Sequence, residues 1–449
     1  MPDLRTAAAS LRAVAQFRAR VLAPRDSAAV ARELERTDSD PEGVGIMTRK
    51  AELRLLRLDG VPLKASPLLK QELLALGGDA AQARGIADHS VRSTAVVLTA
   101  TPAQYERLWP KLERQPFHLR EVARAGKAAL AGYTRRAPFT IRGLHRTLSL
   151  GPDCRAMGVV NVTPDSFSDG GRYLEPAAAV TRAQELISEG AALIDVGAES
   201  TRPGAAPVSA RAELARLTPV LRKLHDRSSV PISVDTRRSE VAKEALALGA
   251  DLVNDIGGLR EGGMRRLLAR TGAPVIAMHM RGTPRTMQQD TRYVELRDEV
   301  YGFLADAAST AVADGVAPEA ILIDPGLGFG KTPAQSLELL AHIGELRSLG
   351  FPVVVGASRK SMLGAALGGA PVTERAEAGI AAAVVAALGG AHLVRVHEVA
   401  PTVRALALVA ALRRGSPPPQ RAQRSPRSAG AAPIRQRRSR RAPKRPRSN

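Results

Sequence analysis

A single cysteine, Cys154, among 449 residues leaves no partner for an intramolecular disulfide, so a reducing compartment is the simple expectation. No apolar run approaches the ~20 residues that a membrane-spanning helix requires. The first 22 residues are rich in Ala and Arg with one acid and hold no continuous apolar stretch, which argues against a secretory signal. An organellar transit peptide shares that composition, and an exposed helix is the simpler expectation. Together these absences point to the cytoplasm and away from a membrane. Aromatic residues make up only 3% of the chain, so Ala, Val, Leu and Ile must fill the core that a 44% apolar content allows.

Acidic residues are missing altogether from 413–449, where 13 basic ones stand among Pro, Ser, Gln and Ala. That tail has almost nothing to bury and is expected to be disordered. It reads either as a solvated extension or as a weak, salt-sensitive nucleic-acid contact. The formal net charge of +21 is therefore unevenly placed: 25 basic against 15 acidic residues in 1–150, and 27 against 29 in 151–412. The middle of the chain is close to neutral, and its partners cannot be inferred from the overall basicity.

The chain divides into three parts. Residues 1–140 read as a small α/β accessory domain, with strands at Leu53–Leu58 and Thr94–Thr101 and helices at Pro67–Leu76 and Pro102–Leu112, each helix with Pro near its start. No chemical motif marks this part, and an accessory or oligomerisation role is the expectation. Residues 141–412 alternate short apolar runs with helical stretches, and 413–449 are the tail. The runs are Met157–Val160, Ala192–Val196, Pro231–Val234, Asp251–Val253, Pro274–Ala277, Ala320–Ile323, Pro352–Val355 and His392–Val396. Unbroken apolar runs suit parallel strands buried on both faces. Val180, Ala183 and Ile187 form a helical stripe between the first two.

An internal echo strengthens the pattern. Gly190-Ala-Ala-Leu-Ile, Gly249-Ala-Asp-Leu-Val and Gly390-Ala-His-Leu-Val each place Gly where a helix ends in the left-handed region, directly before a strand. Eight such strands predict an α/β fold, a (β/α)8 TIM barrel, preceded by the small α/β unit.

In such a barrel the active site gathers at the C-terminal ends of the strands. Those ends carry Asn161, Asp195, Asp235, Asn254-Asp255, His279, Asp324 and, further on, Ser358 to Ser361 and Arg395 to His397. Asp235, Asp324, Asn254 and Asn161 suit a flat heterocycle with an N–H edge, or the two aspartates suit a divalent metal. Lys360, Arg395 and His397, with the helix N-termini after strands seven and eight, suit a di-anion such as pyrophosphate. Gly326, Gly328 and Gly330 either admit a ligand close to the backbone or serve only as turns.

The motifs at these positions resemble those of the dihydropteroate synthase family. Met157-Gly-Val-Val-Asn161-Val-Thr-Pro-Asp-Ser-Phe-Ser-Asp-Gly-Gly171 is similar to that family's first loop, and Glu199-Ser-Thr201-Arg202-Pro203-Gly204 to its second. Ser233-Val-Asp235-Thr, Asn254-Asp255, Met278-His-Met-Arg-Gly282, Asp324-Pro-Gly-Leu-Gly-Phe-Gly-Lys331, Ser358-Arg-Lys-Ser361 and Arg395-Val396-His397-Glu398 follow in the family's order across about 145–412. Ala198 stands where Gly is commoner, and Leu327 where Phe is commoner.

The resemblance implies an enzyme that condenses 6-hydroxymethyl-7,8-dihydropterin pyrophosphate with 4-aminobenzoate, the sulfonamide-sensitive step of folate synthesis. It implies that Asp235, Asn254, Asp324 and Lys360 hold the pterin, that Arg395 stacks on it, and that Arg395 and His397 reach the pyrophosphate. Lys360, Arg395 and His397 are the expected catalytic groups, and Val396 lies in the substrate-binding stretch. Asn161 would meet Mg2+. Thr201, Arg202 and Pro203, on a loop that closes, with Phe329, Lys360 and Ser361, would line the 4-aminobenzoate side. A homodimer is the family-like expectation. Two rivals remain: a related barrel that transfers a methyl group from a folate, which should lack the loops of Asn161 and Thr201–Pro203, and a degenerate barrel binding nucleic acid through its basic flanks.

Overall fold

A computed structural model of the protein describes residues 27–162, 176–200 and 208–414, with Arg18, Val21, Leu22 and Pro24 besides. The expectations for the N-terminal helix, for the loop following Val162, for Thr201, Arg202 and Pro203 and for the tail beyond Arg414 fall largely or wholly outside these residues.

Eight parallel strands form one sheet: β6 (Arg155–Asn161), β7 (Leu193–Gly197), β8 (Ile232–Asp235), β9 (Leu252–Asp255), β10 (Val275–Met278), β11 (Ile321–Asp324), β12 (Val354–Val355) and β13 (Leu393–Val396). Each lies beside its successor, and β13 pairs with β6. The ring closes between β11 and β12 through the parallel bridge Ile323–Val353, where Ile323 N–H also donates to the Pro352 carbonyl at 3.0 Å. The expected (β/α)8 barrel is present, and each of the eight apolar runs overlaps its strand, most strands running one or two residues further. The seventh strand shrinks to two residues, since Pro352 has no N–H for a ladder.

The three echo glycines have φ of +103°, +104° and +100°, each at the step from a helix into β7, β9 or β13. Only glycine takes that conformation without strain. The helical stripe also holds: Val180 and Ala183 of the helix Pro176–Ser188 are buried, and Ile187 packs beside them.

The strands sort their side chains by the two-residue period. Ile194, Val196, Ile232, Val234, Val275, Ala277, Ile321, Ile323, Val394 and Val396 face outward into the apolar layer beneath the helices. Met157, Leu193, Leu252, Ile276, Leu322 and Leu393 face inward, near the N-terminal mouth. A hairpin, β4 (Phe139–Arg142) and β5 (Thr147–Leu150), closes that mouth with Ile141, Leu148 and Leu150. Its turn is fixed by the buried Asp251, whose carboxylate accepts from His145 N–H at 2.9 Å, Arg146 N–H at 2.7 Å and the Arg146 guanidinium at 2.9 Å. One end of the barrel is thus sealed with hydrocarbon, and only the other can admit a ligand.

Residues 54–134 build a separate apolar cluster around Leu56, Leu69, Leu98, Tyr105 and Leu108. Its antiparallel sheet has the order β1 (Arg54–Pro62), β3 (Ser93–Ala100), β2 (Asp79–Gln82). The helix Pro102–Leu112 stands where the sequence predicts it, started by a capping box between Thr101 and Gln104. Pro67 begins no helix: it is the third residue of Ala65–Leu74, which starts two residues earlier than expected. This unit rests on the outside of the barrel. Tyr133 lies between the guanidinium groups of Arg54 and Arg347, 5.1 and 5.0 Å from its ring centre, and Arg57 pairs with Asp298 at 2.6 Å.

The tail needs one correction. Arg413 and Arg414 belong to the last barrel helix, Val399–Arg414. Their side chains donate to the Pro152 carbonyl at 2.6 Å and to Asp153 at 2.7 Å. Chain geometry, not charge, decides where the barrel ends.

Candidate active site

Two residues beyond the inward hydrocarbon layer, the same strand faces carry polar groups: Asp195 after Leu193, Asn254 after Leu252, Asp324 after Leu322 and Arg395 after Leu393. Asp235 follows the buried Ser233 in the same way. The period that fills the bottom of the barrel with hydrocarbon therefore lines its open end with charge.

Arg395 is the hub of this ring. Its Nε donates to Asp195 Oδ2 at 2.7 Å and its Nη2 to Asp235 Oδ2 at 2.9 Å. Asn254 Nδ2 donates to the same Asp195 oxygen at 3.1 Å. Burial pushes the Asp235 carboxyl up to about 7; Arg395 resists the rise and Asp195 adds to it. Asp324 is raised too, by burial, against Lys360 and the Gly326 N–H that reaches its Oδ1 at 2.7 Å.

Lys360 caps the short helix Ser361–Ala366, with Ser361 exposed at its first position. Its ammonium donates to the Leu327 carbonyl and lies 4.6 Å from the centre of the Phe329 ring. Burial brings it down to about 8, against the pull of Asp324 and with repulsion from Arg395. His397 Nδ1 lies 3.0 Å from Ser358 Oγ, which donates to Glu398 at 3.1 Å; Glu398 in turn holds Arg359. Asn161 is exposed at the end of β6.

Asp235, Asn254, Asp324, Lys360, Phe329 and Arg395 are thus assembled at one mouth. Val396 is not brought into it: its side chain faces outward and only 3% of it is exposed. The alternative of a metal held by Asp235 and Asp324 finds no support, since each carboxylate already has a protein donor and no group of three metal-ligating side chains occurs among the described residues. Leu327 is buried in the outer core, so the family's commoner Phe is replaced by a residue that reaches the site through its carbonyl alone.

Sequence reasoning places Asp195 at a strand end and Lys331 in a motif but gives neither a role. Asp195, fully buried, anchors Arg395; its place two residues after Leu193 was the signal. Lys331 is 2% exposed and its ammonium meets His279 Nδ1 at 2.7 Å and the carbonyls of Gly326 and Phe329 at 3.0 Å each. Burial and the neighbouring Lys331 press the His279 imidazole down to about 2, so it stays neutral and accepts from the lysine. This clasp fixes the loop between Asp324 and Phe329, and nothing in the residue pattern announces it.

The glycines of that loop serve the protein's own backbone. A Cβ on Gly326, at φ +64°, would lie 1.9 Å from the His279 carbonyl oxygen. Gly326→Ala should therefore cost more than about 2 kcal/mol of stability and pull the Gly326 N–H away from Asp324. Denaturant unfolding checks this, and an unchanged midpoint would contradict it.

The profile of the pterin binding enzyme family matches residues 157–397. Dihydropteroate synthase of Escherichia coli K12 is 46% identical over 255 residues, which is 57% of this chain and 90% of that protein. A probable bifunctional folylpolyglutamate synthase/dihydropteroate synthase of Halobacterium salinarum is 40% identical over 420 residues, 92% of this chain but 50% of that protein. That match extends over most of the N-terminal unit as well as the barrel. The crystal structure of Yersinia pestis dihydropteroate synthase with a sulfonamide drug complex superposes with a TM-score of 0.58 at 44% identity, covering 62% of this chain and all of that one. Burkholderia cenocepacia dihydropteroate synthase complexed with 7,8-dihydropteroate gives 0.56 at 41% identity, covering 62% and 98%. The chain belongs to the pterin binding enzyme family and is a dihydropteroate synthase, a transferase of folate biosynthesis.

Proposed function

We propose that the polar ring around Arg395 binds 6-hydroxymethyl-7,8-dihydropterin pyrophosphate and joins it to 4-aminobenzoate. The observation that carries this reading is the pairing of Arg395 with Asp195 and Asp235 at the open end of the barrel, with Asn254, Asp324 and Lys360 on the same face. Asp235, Asp324 and Asn254 accept from and donate to the amidine-like edge of the pterin, for which paired carboxylate oxygens are suited. The Arg395 guanidinium, held flat by two carboxylates, offers its plane to the ring, and with His397 and Lys360 it faces the pyrophosphate. The bond from the pterin methylene to the pyrophosphate oxygen breaks, and both electrons leave with the oxygen. The aniline nitrogen of 4-aminobenzoate donates its lone pair to that carbon and loses a proton to water. The amine is already neutral near pH 7, so fixed positive charge around the leaving group matters more than a strong base. Phe329, Lys360 and Ser361 form the amine side, to which the resemblance also assigns Thr201, Arg202 and Pro203.

Mg2+ fits the donor set. Asn161 offers one exposed amide oxygen, which suits a hard ion that keeps its waters and takes its remaining ligands from phosphate oxygens. Bound there, Mg2+ would supply charge that neutralises the departing pyrophosphate.

The N-terminal unit acts as an accessory domain braced on the barrel, the enzyme works as a homodimer in the cytoplasm, and the tail makes only weak, non-specific nucleic-acid contact. No helix among the described residues is long and apolar enough to cross a membrane. Truncation after Arg414, which spares the last helix, should leave turnover within about twofold and abolish salt-sensitive RNA retention. A larger loss of turnover would show that the tail serves catalysis.

The deciding assay follows pyrophosphate release from the pterin substrate with and without 4-aminobenzoate. Release should rise steeply with the amine; release indifferent to it overturns the reading.

A further inference from the structure

The N-terminal unit carries a groove that the barrel reaction does not use. Its volume is about 790 Å3, within the range of small-molecule sites. Lys64, His89, Arg92, His118 and Arg120 line it against one acid, Glu121. Glu121 stands 3.9 Å from His118 Nδ1, and Arg120 gives one N–H to the Glu113 carbonyl at 3.3 Å. The side chains of His89 and Arg92 make no hydrogen bond or ion pair among the described residues.

Backbone polarity adds to this charge. Lys64 is the N-cap of the helix Ala65–Leu74 and His118 that of Leu119–Thr134, and neither helix start is capped by a side chain. Two helices thus begin at the wall of one basic groove and turn the positive ends of their dipoles to it, although Leu119 N–H donates to the Pro116 carbonyl at 3.4 Å. Phe117 lies between them with 46% of its surface exposed, and the Lys64 ammonium is 5.7 Å from its ring centre. Phe117 and His118 are consecutive non-glycine residues with φ of +62° and +66°, a conformation that bulky side chains rarely take.

We propose that this groove is a binding site for a phosphorylated flat heterocycle of the nucleotide class. Its phosphates meet Arg92, Lys64, Arg120 and the helix starts, and its ring lies against Phe117. A free anion would need no exposed aromatic, and an apolar ligand would need no ring of cations. The chemistry has two sources, a nucleotide or the reaction's own pterin pyrophosphate.

Calorimetric titration of the full-length protein with ADP, adenosine and inorganic pyrophosphate tests it. ADP should bind saturably, and Arg92→Glu should weaken it at least tenfold while turnover in the barrel stays within twofold. Phe117→Ala should weaken ADP but leave unchanged that part of pyrophosphate binding which Arg92→Glu removes. Absence of saturable ADP binding at millimolar concentration, adenosine binding as tightly as ADP, or indifference to both substitutions overturns the proposal. The pterin pyrophosphate is then titrated against ADP in Asp235→Asn protein. Displacement of ADP would name the substrate itself as the occupant, and retention of ADP would name a nucleotide; either supports the site.

Discussion

Asp235→Asn is expected to lower kcat/KM about a hundredfold while leaving the unfolding temperature of the empty enzyme at neutral pH unchanged or higher. The loss in activity follows from the acceptor count. An ionised carboxylate accepts from two parallel N–H donors, whereas an amide offers one oxygen and turns an N–H toward the ligand. Losing charge-assisted hydrogen bonds of about 1.5–3 kcal/mol corresponds to roughly ten- to a hundredfold in binding, and the disturbed Arg395 adds to it. The gain or constancy in stability follows from burial, which raises the Asp235 carboxyl to about 7. A carboxyl raised on folding lends stability that is fully present below its unfolded pKa near 4 and is lost as pH rises through 7. The substituted amide undergoes no such loss, so the difference in unfolding temperature should move in favour of the variant between pH 4 and pH 8. Pterin binding by the wild type should run the other way and weaken as pH falls below about 7, because the ionised form accepts the ligand. Ligand titration and thermal unfolding at both pH values check the pair of trends. Pterin affinity unchanged by the substitution would remove Asp235 from the site.

The barrel and its rim were legible because both depend on short-range rules. A strand alternates its faces every two residues, so Leu193 and Asp195, or Leu322 and Asp324, declare together which side is the lumen and how far up it the polar groups begin. The echo glycines were legible because φ near +100° admits little else. The same period, applied to Val394 and Val396, would have placed Val396 on the helix side from the outset. What stayed hidden depends on chain segments far apart in sequence. The clasp of Lys331 on His279 spans 52 residues, and the seal of the lower mouth joins Arg146 to Asp251 across 105. The strand Asp79–Gln82 was missed because four residues with two alanines carry no β signal; only pairing with β3 makes it a strand. The basic groove was missed because Lys64 and Arg92 come from two connections and Arg120 from the first turn of a helix, and no stretch of sequence holds them side by side.

Arg395→Met should be the most damaging change in the barrel, at about 3–5 kcal/mol of stability together with a loss of kcat of a hundredfold or more. Arg395 supplies the donor for two carboxylates at once, and Asp195 is fully buried with its Oδ1 already lacking a partner among the described residues. Without the guanidinium, Asn254 Nδ2 remains the one side-chain donor to Asp195 among the described residues, at 3.1 Å. The stranded Asp235 carboxyl then escapes its cost by taking up a proton, so the destabilisation should be mild at pH 5 and grow toward pH 8. The sign follows from linkage: removing the cation that holds the Asp235 carboxyl down raises it further, and stability tied to a raised carboxyl is lost as pH rises. Adding Asp195→Asn to Arg395→Met removes one of the stranded charges and should recover stability by about 1–3 kcal/mol, more than it contributes in the wild-type background. Turnover should not recover, because the plane that faces the pterin and the charge that faces the pyrophosphate are still missing. Denaturant unfolding of the two single variants and the double variant at pH 8, alongside turnover, separates the two roles. Strict additivity of the stability changes would mean that Asp195 does not hold Arg395 in place, and recovery of turnover in the double variant would mean that Arg395 serves the fold and not the reaction.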